Sequence, residues 1–364
     1  MVQTVKEPVP ITLKVVTPLF LGNGGEKEGD IPSELRPPSI KGVLRFWHRA
    51  VGPDNLETEA EYFGSIKGQS SFLLQVRKLP NQEAIEDWKN EFSYLGYGLK
   101  QKGCCRKYIK SGEKLELCLI FRSDATPEAQ EAVLRSFRLL NLFGGLGSRC
   151  RRGIGSVNLE DNVPKDVESL ILQIRNELSQ YTFQNELNYT GFSQSSRIVI
   201  PFVKETWESA LRSIEAVMQE FRSAFTNPDM FAPDRNLIDS FLNTGSIDEA
   251  PHRISFGLPH NYFFKDTYKS ASIAPANEKY SHRASPLFVH IHQLLNDKFA
   301  VVVSFLPAPL LPQGELLEIV DTSKRTQFHH KTQKIEVRDE YMAVIDFVNH
   351  LRNLPEAREV NWRS

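Results

Sequence analysis

The order in which strand-like and helix-like segments succeed one another constrains this chain more than any single motif. In Ile11–Val16 the residues Ile11, Leu13 and Val15 alternate with Thr12, Lys14 and Val16, the period of a strand. Pro18 and the glycines between Gly22 and Gly25 close it. Pro37-Pro38-Ser39 opens a helix, with Ser39 placed to accept from a free N–H of the first turn. Ile40, Val43, Leu44, Trp47 and Val51 share one face of that helix; Lys41, Arg45, His48 and Arg49 share another, and Gly52-Pro53 stops it. Trp47 reads as core. Ser71–Val76 and Leu115–Phe121 are strand-like. Pro127 suits the first position of a second helix, striped by Ala129, Val133, Leu134, Phe137 and Leu140 and ended by Gly144-Gly145. Ile154–Leu159 is a short last strand. Between the two middle strands, Arg77–Lys114 is too long for a structureless loop, and a helix is expected over Gln82–Phe92.

The second half repeats the order. Arg197–Val203 reads as a strand, and Glu205–Phe225 as a helix burying Trp207, Leu211, Ile214, Met218, Phe221 and Phe225. Pro286–Ile291 and Phe299–Phe305 follow as strands. Asp339–Leu351 is a helix with Met342, Ile345 and Val348 inward, and Glu359–Trp362 an edge strand. Both halves spell β-α-β-β-α-β, the ferredoxin-like or RRM-like order. The expected fold class is therefore α+β: two tandem ferredoxin-like (RRM-like) domains with long insertions, which suits 364 residues. The first domain is expected over 1–160, with an insertion at about 79–113. The second is expected over 161–364, a linker helix in the polar Asp161–Asn188 stretch leading into a domain with an insertion at about 227–283.

The formal net charge of -1 gives no global attraction to nucleic acid or anionic lipid, so any RNA site must come from local clustering. Cys104, Cys105, Cys118 and Cys150 form no C-x-x-C pair, which argues against a zinc knuckle. A disulfide framework is not expected in a chain this large, and a reducing compartment fits. Met1–Pro10 has no apolar signal-peptide core and no apolar run approaches a membrane span. A cytoplasmic protein with no membrane partner is expected. His290-Val-His292 puts two imidazoles on one strand face, but no third ligand is evident, and they are read as surface histidines. No metal, no cofactor and no catalytic residue is expected, since neither H-E-x-x-H, a Ser-His-Asp order nor a catalytic carboxylate pair is visible.

The strongest local feature is Phe143-Gly-Gly-Leu-Gly-Ser-Arg-Cys-Arg-Arg-Gly-Ile-Gly-Ser156. Glycines such as Gly145, Gly147 and Gly153 let a backbone turn sharply and approach a ligand. Exposed N–H groups there, Ser148 included, can form an anion nest, and Arg149, Arg151 and Arg152 add bidentate phosphate contacts. A glycine-rich turn with solvated arginines is the bland alternative. No G-K-[ST] closes the segment, so it is not a phosphate-binding Walker loop. Arg152–Leu159 partly echoes the RRM aromatic motif, but Ile154, Ser156 and Leu159 stand at its aromatic positions and no stacking platform is expected. A second basic segment runs from Arg36 through Lys41, Arg45 and Arg49 without an acid before Pro53, on a helix whose N-terminal N–H groups favour phosphate; a solvated basic face is equally consistent. Lys100, Lys102, Arg106, Lys107, Lys110 and Lys114 form a third run, read as a solvated loop or an RNA-contacting thumb.

Taken together, Thr17–Gly22, Leu35–Arg49 and Phe143–Ser156, with Arg253–Pro259 and Arg283–His292 further on, resemble the first-subunit family of the type III-B (Cmr) CRISPR complex in the RAMP superfamily. The resemblance spans both halves. It implies tandem RRM-like domains in a non-catalytic subunit of a multi-subunit ribonucleoprotein. Such a subunit contacts the 3′ part of the guide RNA and the target RNA at one end of the complex, in antiviral defence. By motif, Lys41, Arg45, Arg49 and the Arg149–Arg152 loop carry over as RNA contacts, with Arg283 a weaker candidate. Tyr62–Lys114 and Asn227–His282 inherit nothing. Some RAMP relatives are metal-independent endoribonucleases that use a histidine beside a glycine-rich loop, which makes His48 the candidate base of an alternative, enzymatic reading.

Overall fold

A computed structural model describes residues 6–22, 35–52, 56–78, 85–87, 91–99, 107–223, 226–323, 331–337 and 341–363. The first half runs β1 (Val9–Val15), α1 (Pro37–Val51), α2 (Leu56–Phe63), β2 (Phe72–Lys78), β3 (Ile85–Asp87), β4 (Lys107–Ile109), β5 (Lys114–Phe121), α3 (Pro127–Phe143) and β6 (Val157–Leu159). The second runs α4 (Val167–Leu178), β7 (Arg197–Lys204), α5 (Trp207–Phe221), α6 (Pro228–Thr244), β8 (His260–Phe264), β9 (Lys269–Pro275), β10 (Leu287–Gln293), β11 (Phe299–Phe305), β12 (Leu317–Asp321), β13 (Thr332–Ile335), α7 (Met342–Arg352) and β14 (Arg358–Glu359).

The strand orders are β2-β5-β1-β6 and β10-β11-β7-β14, every pair antiparallel. Numbered within each half, both read 2-3-1-4, the order of the ferredoxin-like unit, as the succession of segments predicts. Thr126 caps α3 by accepting from Ala129 N at 3.2 Å, a contribution of about 1 kcal/mol. α1 differs from expectation at its start. Arg36 is the N-cap and makes no side-chain cap bond, while Ser39 sits inside the first turn with its N–H given to Arg36 O.

The two halves contribute side chains to common hydrophobic clusters. Alternate residues of the second sheet divide between two clusters: Val199, Leu287, Val289, Ile291, Val301 and Val303 pack with α5 and α7. Ile198, Ile200, Phe288, Ala300 and Val302 pack instead with α1, α3 and α4 of the other cluster. That sheet is thus covered on both faces, which is why Phe299–Phe305 is an apolar run rather than an alternation. The edges of the two sheets meet where β6 abuts β10. Arg152 bridges Val289 directly; beyond it, Ile291 N–H donates to Ser156 Oγ (3.0 Å) and Gln293 N–H to Asn158 Oδ1 (2.8 Å). Side chains here satisfy edge groups that would otherwise be left bare.

Two expectations are corrected. The predicted helix over Gln82–Phe92 is contradicted at Ile85–Asp87, a strand paired with β4; the rest of that stretch, apart from Glu91 and Phe92, lies outside the described residues. α7 buries Ala343, Val344, Phe347, Val348 and Leu351, while Met342 and Ile345 are exposed, so its inward face is rotated from the one expected. The insertion of the second half is a folded layer. α6 packs beside a sheet of order β13-β12-β9-β8, in which β9 and β12 come from two separate connections. In α5, Leu211, Ile214, Met218 and Phe221 are buried as expected; Phe225 lies outside the described residues.

Candidate nucleic-acid interface

The glycine- and arginine-rich segment forms the turn between α3 and β6, at the seam of the two halves. Its glycines serve close packing. A Cβ on Gly147 would lie 2.2 Å from Phe20 O, one on Gly155 2.1 Å from Leu146 O and one on Gly145 2.7 Å from Gly155 O. Gly147, Gly153 and Gly155 all have positive φ, a region open to glycine at little cost. Arg149 shares that conformation (φ 63) without the glycine's freedom, and like Gly147 it is exposed.

Four amides of this turn are used inside the fold. Leu146 N–H is given to Gly155 O, Ser148 N–H to Phe20 O, Arg152 N–H to Arg149 O and Gly155 N–H to Pro18 O. The arginine side chains of the turn are held as follows. Arg149 Nε donates to Tyr97 O (2.8 Å) and Arg152 Nη1 to Tyr94 O (3.2 Å). Arg151 is turned into the seam, donating to Ser285 O (2.8 Å) with its guanidinium 4.5 Å from the Phe288 ring centre. Arg283, from the second half, donates to Thr190 Oγ1 (2.9 Å), Ala308 O and the Tyr341 hydroxyl. Among the described residues, none of these four arginines is within ion-pair distance of a carboxylate. Burial, followed by the neighbouring Arg149, pulls Arg152 below the ordinary guanidinium pKa; burial also lowers Arg151, and Arg283 adds to it.

The basic face of α1 is arranged differently. Arg45 and Arg49 both reach Glu59 of α2, at 3.3 and 2.9 Å, and Glu59 is only 5% exposed. Arg45 also donates to the carbonyls of Phe63 and Gly64. Lys41 donates to Ser70 Oγ (2.6 Å) and Phe72 O (3.1 Å) and lies 4.4 Å from the Phe72 ring centre; burial, then Arg45, lowers its pKa. Arg36 is exposed and touches Gly22 O at 3.4 Å. The sequence has no acid from Arg36 to Pro53; Glu59, which pairs with this face, lies six residues beyond it on α2, a helix the sequence pattern does not predict. Of the third basic run, Lys114 pairs with Glu160, while Lys100, Lys102 and Arg106 lie outside the described residues.

His48 is buried between the Tyr62 and Phe63 rings, its Nδ1 3.4 Å from Arg135, and burial followed by Arg135 lowers its pKa to about 4. His290 and His292 are fully buried, not at the surface as expected. His290 Nδ1 lies 2.6 Å from Gly144 O and its Nε2 3.2 Å from His292 Nδ1, so they are seam residues. No group of three or more His, Cys, Asp or Glu is placed to hold a metal among the described residues. No helix among the described residues is long and apolar enough to cross a membrane.

Two ferredoxin-like sheets are thus joined at a glycine- and arginine-rich turn. Residues 12–158 match the family model of the RAMP superfamily. It is similar to the CRISPR system Cmr subunit Cmr1-1 of Pyrococcus furiosus, 24% identical over 320 residues that cover 81% of this chain and 87% of that relative. It is also similar to Cmr1-2 of the same organism, 26% identical over 180 residues, 41% of this chain and 92% of that relative. The crystal structure of P. furiosus Cmr1 in its apo form has the same fold: TM-score 0.59 at 17% identity, covering 98% of this chain and 99% of that one.

Proposed function

We propose that this chain is a non-catalytic RNA-binding subunit of a type III-B CRISPR effector complex. It contacts the 3′ part of the guide RNA and the target RNA at one end of that assembly, in the cytoplasm, beside other subunits of the ribonucleoprotein. Similarity to two CRISPR Cmr subunits supports the assembly. The observation that carries RNA binding is the seam turn, where Arg149, Arg151, Arg152 and Arg283 have no ion-pair carboxylate among the described residues, while Arg45 and Arg49 of the other basic face pair with Glu59. A cation left without a counter-ion on a protein of net charge -1 is poised for an external anion. Gly145, Gly147, Ser148 and Gly153 shape the turn that presents it. Arg36 is open to RNA; Lys41, Arg45 and Arg49 would first have to leave their partners.

The test is RNA binding by the full chain across a salt series, with EDTA present and the RNA recovered intact. Log affinity should fall linearly with log salt, by roughly 0.7 per phosphate neutralised on a single strand. Arg149→Ala with Arg152→Ala should weaken binding about tenfold or more and lower that slope. Unchanged affinity in the folded double variant would remove the turn from the interface. The alternative, a metal-independent endoribonuclease using His48, gains no support from a buried imidazole beside Arg135. EDTA-resistant cleavage lost in His48→Ala would reinstate it.

A further inference from the structure

The segment 91–99 belongs to the first-half insertion, yet it docks on the second half. Phe92, Leu95 and Leu99 are buried in the same cluster as Leu211 and Ile214 of α5. The N–H groups of Tyr94 and Leu95 both donate to Glu215 Oε1, at 2.8 and 3.0 Å. That use of Glu215 matters, because it commits a carboxylate at this junction to backbone amides. Arg222 Nη1 donates to the Tyr94 hydroxyl (2.6 Å), on the residue whose carbonyl receives Arg152. Arg222 also lies over the Phe256 ring at 4.6 Å. Arg253 Nη2 donates to Arg222 O (2.9 Å), its guanidinium is 5.1 Å from the Phe231 ring centre, and its Nε is buried without a partner. Asp234 is spent on the N–H groups of His252 and Arg253 and on the Tyr262 hydroxyl. Tyr97, whose carbonyl holds Arg149, leaves its ring 75% exposed.

We propose that one RNA strand runs from Arg149 and Arg152 across the seam onto Arg222 and Arg253, bound by both halves together, with the Tyr97 ring as a platform for an unpaired base. The proposal rests on the RNA-binding reading above and extends it to residues outside the glycine-rich turn. The guanidiniums are linked in sequence by the Tyr94–Tyr97 segment and by the Arg222 carbonyl. Each rests on neutral acceptors or aromatic faces, and none has an ion-pair carboxylate among the described residues. Burying several like charges together without counter-ions is unfavourable in the free protein and is relieved by a run of phosphates. An exposed aromatic ring beside a positive track is the arrangement that holds single strands, since every base has a face to stack.

The experiment is a salt series on the full chain with a labelled single-stranded RNA of mixed sequence, comparing wild type, Arg149→Ala, Arg222→Gln, Arg222→Lys and Tyr97→Ala. Arg222→Gln should weaken binding several-fold and reduce the log–log salt slope by about 0.7. Arg222→Lys should restore the slope. Tyr97→Ala should weaken binding about tenfold with the slope unchanged, and an abasic RNA should abolish that difference. Wild-type affinity and slope in Arg222→Gln, with Arg149→Ala impaired, would confine the strand to the turn and overturn the extension alone. Absence of salt-dependent binding by the wild type would overturn the RNA-binding reading itself. If Arg222→Gln does not fold, Tyr97→Ala decides, because it deletes an exposed ring and leaves the carbonyl that holds Arg149; wild-type affinity there overturns the proposal.

Discussion

Arg45 and Arg149 carry the same side chain into opposite circumstances. The first shares a buried carboxylate with Arg49, and the second rests on the Tyr97 carbonyl with no ion-pair acid among the described residues. Both stood out in the sequence as members of basic runs, and composition could not separate them. The separating residue, Glu59, lies ten and fourteen positions further along, and only the fold brings it across. His290 and His292 show the same limit, for nothing in a strand-like Val-His-Ile-His says that a second half will cover that face. Their burial has a consequence for pH. Burial holds His290 at about 4 and His292 well below its ordinary 6.5, and His48 also lies at about 4. Between about 6.5 and 4 the unfolded chain binds protons that the folded chain refuses, so stability is complete above this window and is lost as pH falls through it. Thermal melts should therefore weaken from about pH 7 to about pH 5, by about 2 kcal/mol for each of His48 and His290, and His48→Phe should flatten part of the slope. A melting temperature constant across that range would contradict the buried neutral state.

At the scale of elements, both ferredoxin-like orders could be read from the chain because strand and helix periods are local. Phase and partnership could not. The stripe Ala343, Val344, Phe347, Val348 and Leu351 competes in α7 with one through Met342 and Ile345, and the choice between them depends on what lies opposite. β9 and β12 are not legible in the sequence because they pair across about 40 residues of intervening chain, including β10 and β11. The seam of β6 and β10 offers a direct test. Ser156→Ala strands the Ile291 N–H and Asn158→Ala the Gln293 N–H, each buried polar loss being worth about 1–3 kcal/mol. Urea denaturation should show each variant less stable by that order. A change below about 0.5 kcal/mol would mean that water or repacking replaces the side-chain bridge.

For the whole molecule, the expected division near residue 160 falls inside a continuous hydrophobic core. Phe46 stacks on Phe288 at 5.4 Å between centroids, and Trp47 and Phe143 share a cluster with Ile198 and Val302. A chain of residues 1–160 alone should consequently lack a cooperative melt and fixed near-ultraviolet dichroism, since removal of the second half bares α1 and α3. A sharp, reversible transition in that fragment would show the halves to be independent. The seam has one more consequence. It joins the fourth strand of one ferredoxin-like unit to the second strand of the next, so the two units meet through unlike edges, head to tail. A two-fold joint consumes the same edge on both members and closes, whereas a head-to-tail joint leaves a second-strand edge at β2 and a fourth-strand edge at β14. The chain is in that sense a two-unit segment of an open array, with a grammar that permits further units of the same kind at either end.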